Sequence, residues 1–292
     1  MVRPASFGFN PETAASNAFA AAADCGDVLR EFDLAVEQLG KAGLEIIVLD
    51  DQPDPATPDA IFPNNWVSFH ADGTMVLYPM ESPSRQAERE PERVRQLLES
   101  RGFEVRQVVD LSLLEQDGRF LEGTGSLILD RPARRGFASL SPRTHPEAIA
   151  RFDERLGYST FTFGAHDRSG RPIYHTNVLM SLGTSFAVLC LDAVADTDRA
   201  ALVEEIAAGG RRLIEVDYEQ MTHFACNIIE LENSSGGPVI AISAAAVRSL
   251  RADQRQVLES FGELVPVEIP TIEQVGGGSI RCMIADIHLP RR

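Results

Sequence analysis

Apolar positions along the chain change their spacing in a repeating cycle. From residue 28 to 39 they fall three and four apart, at Val28, Phe32, Ala35, Val36 and Leu39, which predicts a helix with one buried stripe. Gly43 follows, in the place where a left-handed residue ends helices. Leu44-Glu45-Ile46-Ile47-Val48-Leu49 is nearly continuous in large apolar residues and predicts a buried strand. A polar stretch runs from Asp59 to Asn65. Beyond it, residues 66–70 and 74–78 flank Ala71-Asp72-Gly73, and the Asp-Gly pair predicts a hairpin.

The cycle recurs four more times. Helices are predicted over 89–100, 146–156, 197–208 and 245–261, followed by strands over 103–109, 158–163, 213–216 and 264–269. Hairpins pair 126–129 with 136–140, 178–181 with 186–191, and 228–231 with 239–242. The helices stop at Gly43, Gly102, Gly157, Gly209 and Gly262, roughly 50 to 60 residues apart, a period that marks a repeat architecture. Strands expected over 1–7 and 283–289 are left without partners in sequence. Pairing them would close the array into a ring and remove two bare edges. No linker or low-complexity stretch interrupts the chain. The expected architecture is therefore α/β: one domain, 1–292, of five pseudo-symmetric ββαβ units, with helices outside and short sheets inside.

Composition narrows the function. The 292 residues are 44% hydrophobic, enough for a sizeable core, and carry a formal net charge of −16. A nucleic-acid partner is not expected, because neutralising phosphates needs basic surface. No apolar run reaches membrane-spanning length; the longest, Phe186 to Ala195, is broken by Asp192. The opening Met1-Val2-Arg3-Pro4 does not resemble a secretory leader. The four cysteines, Cys25, Cys190, Cys226 and Cys282, form no C-x-x-C pair, so neither a zinc site nor a redox dithiol is signalled. A reducing, cytoplasmic setting is expected, with a small-molecule partner, no membrane, no metal and no organic cofactor. A homo-oligomer stays open.

The polar turns between units hold Asp59, Glu122, His175, His223 and Cys282, so acid, base and thiol recur at one topological place. In a closed ring those places meet. Cys282 follows Gly276-Gly277-Gly278, and glycines let a backbone approach a ligand closely. A thiol there suits a nucleophile, which needs a base or a positive neighbour to become a thiolate. His175 is the natural partner and His223 the rival. Glu122 and Asp59 are acids that burial would penalise unless they met donors or cations. Taken singly, each of these residues is equally a core cysteine, a satisfied core histidine or a turn-forming acid.

Together, Asp59-Ala-Ile-Phe-Pro-Asn-Asn65, Leu121-Glu-Gly-Thr-Gly125, His175-Thr-Asn177 and Gly-Gly-Gly-Ser-Ile-Arg-Cys282 resemble the guanidine-modifying superfamily. Its members include arginine deiminases, dimethylarginine hydrolases, amidinotransferases and citrulline-utilization hydrolases. The resemblance extends to Arg3-Pro4 and Phe9-Asn10-Pro11-Glu12-Thr13-Ala14 and is strongest toward the last group. It implies the five-bladed pentein fold, with Cys282 as nucleophile and His175 as general acid/base. It also implies Glu122 and Asp59 as the carboxylates that hold the substrate's terminal nitrogens. Arg143 resembles an arginine that binds a substrate α-carboxylate, and Arg85 a second one.

Two positions depart from arginine deiminases: Asn65 and Asn177 stand where those enzymes usually carry acids. A guanidinium has only donors and suits acids, whereas a ureido oxygen can accept from an amide. The departures favour a ureido substrate such as citrulline, split to ornithine, ammonia and carbon dioxide through a Cys282 thioester. The alternatives are an arginine deiminase, arginine dihydrolase or amidinotransferase. A further one is a non-catalytic pentein binding protein, against which the combination of Cys282, His175 and Glu122 argues.

Overall fold

The structure, a computed structural model, describes residues 1–14 and 16–292. It is a mixed α/β fold of small sheets. Four sheets have three strands and one internal order. They are β3(Val67–Phe69), β4(Thr74–Leu77) and β5(Gln107–Asp110); β6(Ile128–Asp130), β7(Arg135–Ser139) and β8(Ser159–Phe163); β9(Met180–Leu182), β10(Phe186–Leu189) and β11(Arg212–Glu215); and β12(Ile229–Glu232), β13(Pro238–Ser243) and β14(Glu263–Val267). In each, the first two strands form the predicted antiparallel hairpin and the third joins in parallel after a helix. Parallel pairing requires such a crossover. The helices Pro91–Ser100, Pro146–Leu156 and Asp196–Ala208 supply three of these crossovers. Among the described residues, no helix is long and apolar enough to cross a membrane.

The two chain ends depart from expectation. Segment 1–7 does not pair with 283–289. Instead β1(Val2–Arg3) pairs in parallel with β2(Leu49–Asp50), the same relation that links hairpin and crossover strand elsewhere. Helix Val28–Lys41 is the crossover here, and the N-terminal ammonium donates to the Ile47 carbonyl at 2.8 Å. Residues 283–289 join no ladder. Backbone pairing of the tail comes beyond them, where Glu104 N–H donates to Pro290 O at 2.8 Å and Arg292 N–H to Gly102 O at 2.9 Å.

Three further differences are local. The helix expected over 245–261 is two, Ala244–Ser249 and Ala252–Glu259, the first capped by the Ser243 hydroxyl on Ala246 N–H. Gly43, Gly102 and Gly157 adopt the left-handed backbone that stops a helix, but at the fourth stop Gly210 does so in place of Gly209. Gly262 is needed for space, since a Cβ there would lie 2.9 Å from the Pro238 carbonyl oxygen.

What positions the site is the turn before each hairpin. These turns are short helical pieces: Pro63–Asn65 before β3, Gly123–Ser126 before β6, Thr176–Leu179 before β9 and Tyr218–Thr222 a few residues before β12. Neighbouring turns are stitched by hydrogen bonds. Asn64 Nδ2 donates to Thr124 Oγ1 at 3.4 Å, Thr176 Oγ1 to the Ser126 carbonyl at 2.6 Å, and Asn227 Nδ2 to the Asn177 carbonyl at 3.0 Å. The first two approach so closely that a Cβ on Gly123, at φ +47°, would sit 2.2 Å from Asn64 O.

Candidate active site

Cys282 ends the glycine-rich segment after helix Pro270–Gly276. Gly277 is left-handed at φ +62°, and its carbonyl accepts from the Tyr174 hydroxyl at 2.6 Å. Gly276 and Gly278 lie against the Phe62 ring, where a Cβ on either would crowd it at about 3 Å or less. The thiol is buried. Its Sγ accepts from Asn177 Nδ2 and from Asn227 Nδ2, each at 3.3 Å.

His175 precedes the turn Thr176–Leu179, and its Nε2 meets Glu122 Oε2 at 2.8 Å. Burial pushes the imidazole down to about 4, against the upward pull of Glu122. The ring is thus neutral near pH 7. With its proton on the nitrogen facing Glu122, Nδ1 carries the lone pair. A Cβ on Gly125 would come within 2.8 Å of that Nδ1 and 2.4 Å of Asn65 Nδ2, so only glycine leaves room there.

Glu122 is fully buried. Burial favours its neutral form, but Arg143, His175 and Arg85 outweigh it and hold the carboxyl well below the usual range. Oε1 accepts from Glu81 N–H at 3.0 Å, while Arg143 Nη1 and Arg85 Nη1 stand 3.5 and 3.9 Å from Oε2. Both oxygens are therefore engaged by the protein, and Glu122 does not line the central cavity. Its geometry is that of a group orienting His175 rather than one gripping substrate nitrogens.

Asp59 does face the cavity. Its Oδ2 accepts from Asn10 Nδ2 at 2.8 Å and Thr13 Oγ1 at 3.1 Å. Arg85 also lines it, but is already bonded: bidentate to Glu88 at 2.9 and 3.0 Å, and to Asn65 Oδ1 at 2.7 Å. That last contact fixes the Asn65 amide, turning its Nδ2 away from Arg85 as a buried donor without a partner among the described residues. Asn177 Oδ1 is likewise an unpartnered acceptor. Arg143 holds the opening segment, donating to Thr13 O and Ser16 Oγ at 2.7 Å each and to Glu81 at 3.1 Å, with its guanidinium over the Tyr174 ring.

The cavity enclosed by Thr13, Asn17, Asp59, Asn65, His175 and Cys282, among others, has a free volume of about 10 Å³. A larger cavity of about 550 Å³, lined by Arg131, Arg281 and Asp286, contains none of these other chemistry-bearing side chains.

A profile of the family described as "N,N dimethylarginine dimethylhydrolase, eukaryotic" matches residues 3–289. The chain belongs to that family. As a member it is a C–N hydrolase, one of the guanidine-modifying enzymes that the motifs resemble. No curated protein sequence matches significantly. Among solved structures, the N-terminal domain of ArgZ covalently bound to a reaction intermediate is similar over 99% of this chain and 98% of its own, at 18% identity and a TM-score of 0.74. A substrate-bound form of the same domain, from an arginine dihydrolase of the ornithine-ammonia cycle in cyanobacteria, is 17% identical, with 97% and 95% covered and a TM-score of 0.73. A dimethylarginine dimethylaminohydrolase adduct with 4-chloro-2-hydroxymethylpyridine is 14% identical, with 89% and 90% covered and a TM-score of 0.63.

In this family member His223, the rival histidine, lies outside the cluster. Its side chain is 48% exposed and its Nδ1 sits 2.9 Å from the Glu219 carbonyl oxygen of its own helical turn. His175→Ala is expected to lower kcat by about 10²–10⁴-fold, while His223→Ala stays within about twofold of wild type. Steady-state ammonia release from both variants checks this, and a dead His223 variant beside an active His175 variant reverses the assignment.

The residue that sequence reasoning missed is Asn227. The same polar turn offered His223, whose chemistry is more conspicuous. A signal was nevertheless present: Asn65 and Asn227 each stand two residues before the first strand of a hairpin.

Proposed function

We propose that the chain hydrolyses the terminal ureido group of citrulline, giving ornithine, ammonia and carbon dioxide through a covalent intermediate on Cys282. The observation that carries this reading is Asn65. Arg85 takes its Oδ1, so a buried N–H is presented to the cavity with no acceptor. Leaving such a donor unpaired costs about 1–3 kcal/mol. A ureido oxygen can accept from it, whereas a guanidinium, all donors, would meet it donor to donor.

The Cys282 thiolate attacks the ureido carbon, and the carbonyl π pair moves onto oxygen. Asp59 and Asn177 Oδ1 accept from the substrate's N–H groups. His175 Nδ1 takes up a proton from solvent and delivers it to the departing amine as the C–N bond breaks, leaving a carbamoyl thioester. The neutral ring then removes a proton from water, hydroxide attacks the thioester carbon, and the returning thiolate leaves carbamate, which loses carbon dioxide. One water is consumed overall. Side chains carry every step. The fold that supports this is a single pentein domain over 1–292. In it the four three-stranded sheets, with the β1–β2 pair as a fifth unit, close into a ring, and the stitched turns converge at its hub.

Arginine is the second reading, favoured by the similarity to the arginine dihydrolase ArgZ and by the Asp59 carboxylate in the cavity. Ammonia release measured on both substrates separates the two. Citrulline is expected to show a kcat/KM at least about tenfold above that of arginine, from one mismatched donor contact. Asn65→Asp, which puts an acceptor where the free N–H stood, should move the ratio toward arginine. A protein that consumes arginine efficiently and ignores citrulline overturns the reading.

A further inference from the structure

Asn227 is buried completely, at the end of the turn that leads into β12. Phe224, three residues earlier, has φ +60°, and is one of two non-glycine described residues with positive φ. The left-handed backbone is costly for a bulky side chain and persists only where its surroundings enforce it. The Phe224 carbonyl accepts from Asn227 N–H at 2.8 Å, so the strained residue fixes the backbone that aims the Asn227 side chain inward. The Asn227 Nδ2 group then bridges two acceptors, the Asn177 carbonyl at 3.0 Å and Cys282 Sγ at 3.3 Å, while its Oδ1 accepts from the neutral thiol at the longer distance of 3.6 Å.

The surroundings of Sγ make this amide more than a strut. Among the described residues, only Asn227 and Asn177 donate to the sulfur. The two arginines of the cluster are bonded elsewhere, Arg85 to Glu88 and Asn65, and Arg143 to Thr13, Ser16 and Glu81. The histidine is turned toward Glu122 and is uncharged. Arg281, next to Cys282 in sequence, is turned away as well, donating to the Ile284 carbonyl at 2.8 Å and to Asp286 at 3.4 Å, so among the described residues no cation donates to Sγ. A guanidinium substrate would bring one, but a ureido substrate is neutral and brings none.

We propose that Asn227 is a catalytic residue. Its N–H, with that of Asn177, forms a two-amide cradle that stabilises the Cys282 thiolate before substrate binds, in place of a cation. This deepens the citrulline reading and rests on it for its rationale, since a neutral substrate leaves thiolate formation to the protein. The proton released from Sγ passes to solvent, and His175 stays uncharged until it takes one up for the departing amine.

The test needs no substrate, so its failure is distinct from failure of the citrulline reading, which is read from ammonia release. Cys282 is alkylated with iodoacetamide in wild type, Asn227→Ala and Asn227→Asp, and labelling is followed by mass spectrometry of the Cys282 peptide. Half-exposed Cys25 is the internal reference. Near neutral pH, Cys282 labelling is expected to fall about tenfold in the Ala variant, and further in the Asp variant, which removes the donor and adds a like charge. Raising the pH by about three units should bring both rates back to within a few-fold of wild type. In turnover, kcat should fall with little change in KM. Labelling within twofold of wild type at neutral pH, or a loss that high pH does not restore, overturns the proposal. Should neither variant fold, the wild-type protein decides. Its ultraviolet difference spectrum against Cys282→Ser must show thiolate absorbance near neutral pH without substrate, and a spectrum lacking that band overturns the proposal.

Discussion

Cys282→Ser is expected to lower kcat by at least about 10⁴-fold, the scale on which loss of a nucleophile is felt, while the protein stays folded. A serine hydroxyl ionises far less readily than a thiol, and nothing around Sγ is basic enough to compensate. His175 Nδ1 is a weak base at about 4, the two amides donate to Sγ, and the one acceptor there, Asn227 Oδ1 at 3.6 Å, is an amide oxygen and not a base. Packing changes little, because serine is smaller and the thiol stands where the hydrophobic cluster of Ile61, Phe62 and Met283 meets the polar cavity. The control is Cys190→Ser. Burial pushes the Cys190 thiol up to about 11, so it is an apolar core group at neutral pH. Its replacement should shift the urea midpoint and leave the rate per folded molecule unchanged. Ammonia release and equilibrium unfolding read both outcomes, and more than about one per cent residual turnover in Cys282→Ser removes the thiol from the mechanism.

The second large effect is expected at Glu122. Its carboxylate faces His175 at 2.8 Å, Arg143 at 3.5 Å and Arg85 at 3.9 Å, all buried. Removing one partner of a buried charge cluster costs about 3–5 kcal/mol, because the charges left behind have lost both water and counter-ion. Glu122→Ala should therefore destabilise the fold by about that amount. Glu122→Gln keeps the shape and should be milder in stability, yet still lose about 10²–10³-fold in kcat. Without the carboxylate, His175 loses the neighbour that draws its titration upward, so its imidazole should titrate lower still. Thermal unfolding with NMR titration of the His175 ring checks both variants. A Gln variant at wild-type rate would reduce Glu122 to a structural counter-ion.

How far the sequence carried is clearest at particular residues. Hairpins were legible because period-two runs flank strong turn residues such as Asp72-Gly73. Crossover helices were legible because their apolar stripes are wide. The chain ends were not. β1 and β2 are only two residues long, and a ladder that short leaves no periodicity to read. Within 283–289, Met283 and Ile284 pack against Cys282's cluster and Leu289 against that of Trp66, and that packing needs no strand pairing. At the site, residue types flagged the acid, base and thiol, but not what each touches. Arg85 was expected to await a carboxylate from outside; Glu88, three residues on, supplies one from within. Asn227 escaped because an amide is chemically quiet until a sulfur lies beside it.

The tightness of the central cavity has a consequence for kinetics. About 10 Å³ accommodates roughly one water molecule, so no amino acid enters the conformation described here. The opening segment narrows it, with Thr13 in its lining, and is held there by Arg143 donating to Thr13 and Ser16 and by Asn10 and Thr13 donating to Asp59. Capture of substrate must therefore wait on a rarer arrangement in which those contacts are broken. Measured affinity is then the intrinsic affinity scaled by how often that arrangement is visited. Escape of product has to cross the same barrier in reverse, so the frequency at which Asn10, Thr13 and Ser16 come loose sets an upper bound on turnover that no improvement in the chemistry at Cys282 could lift.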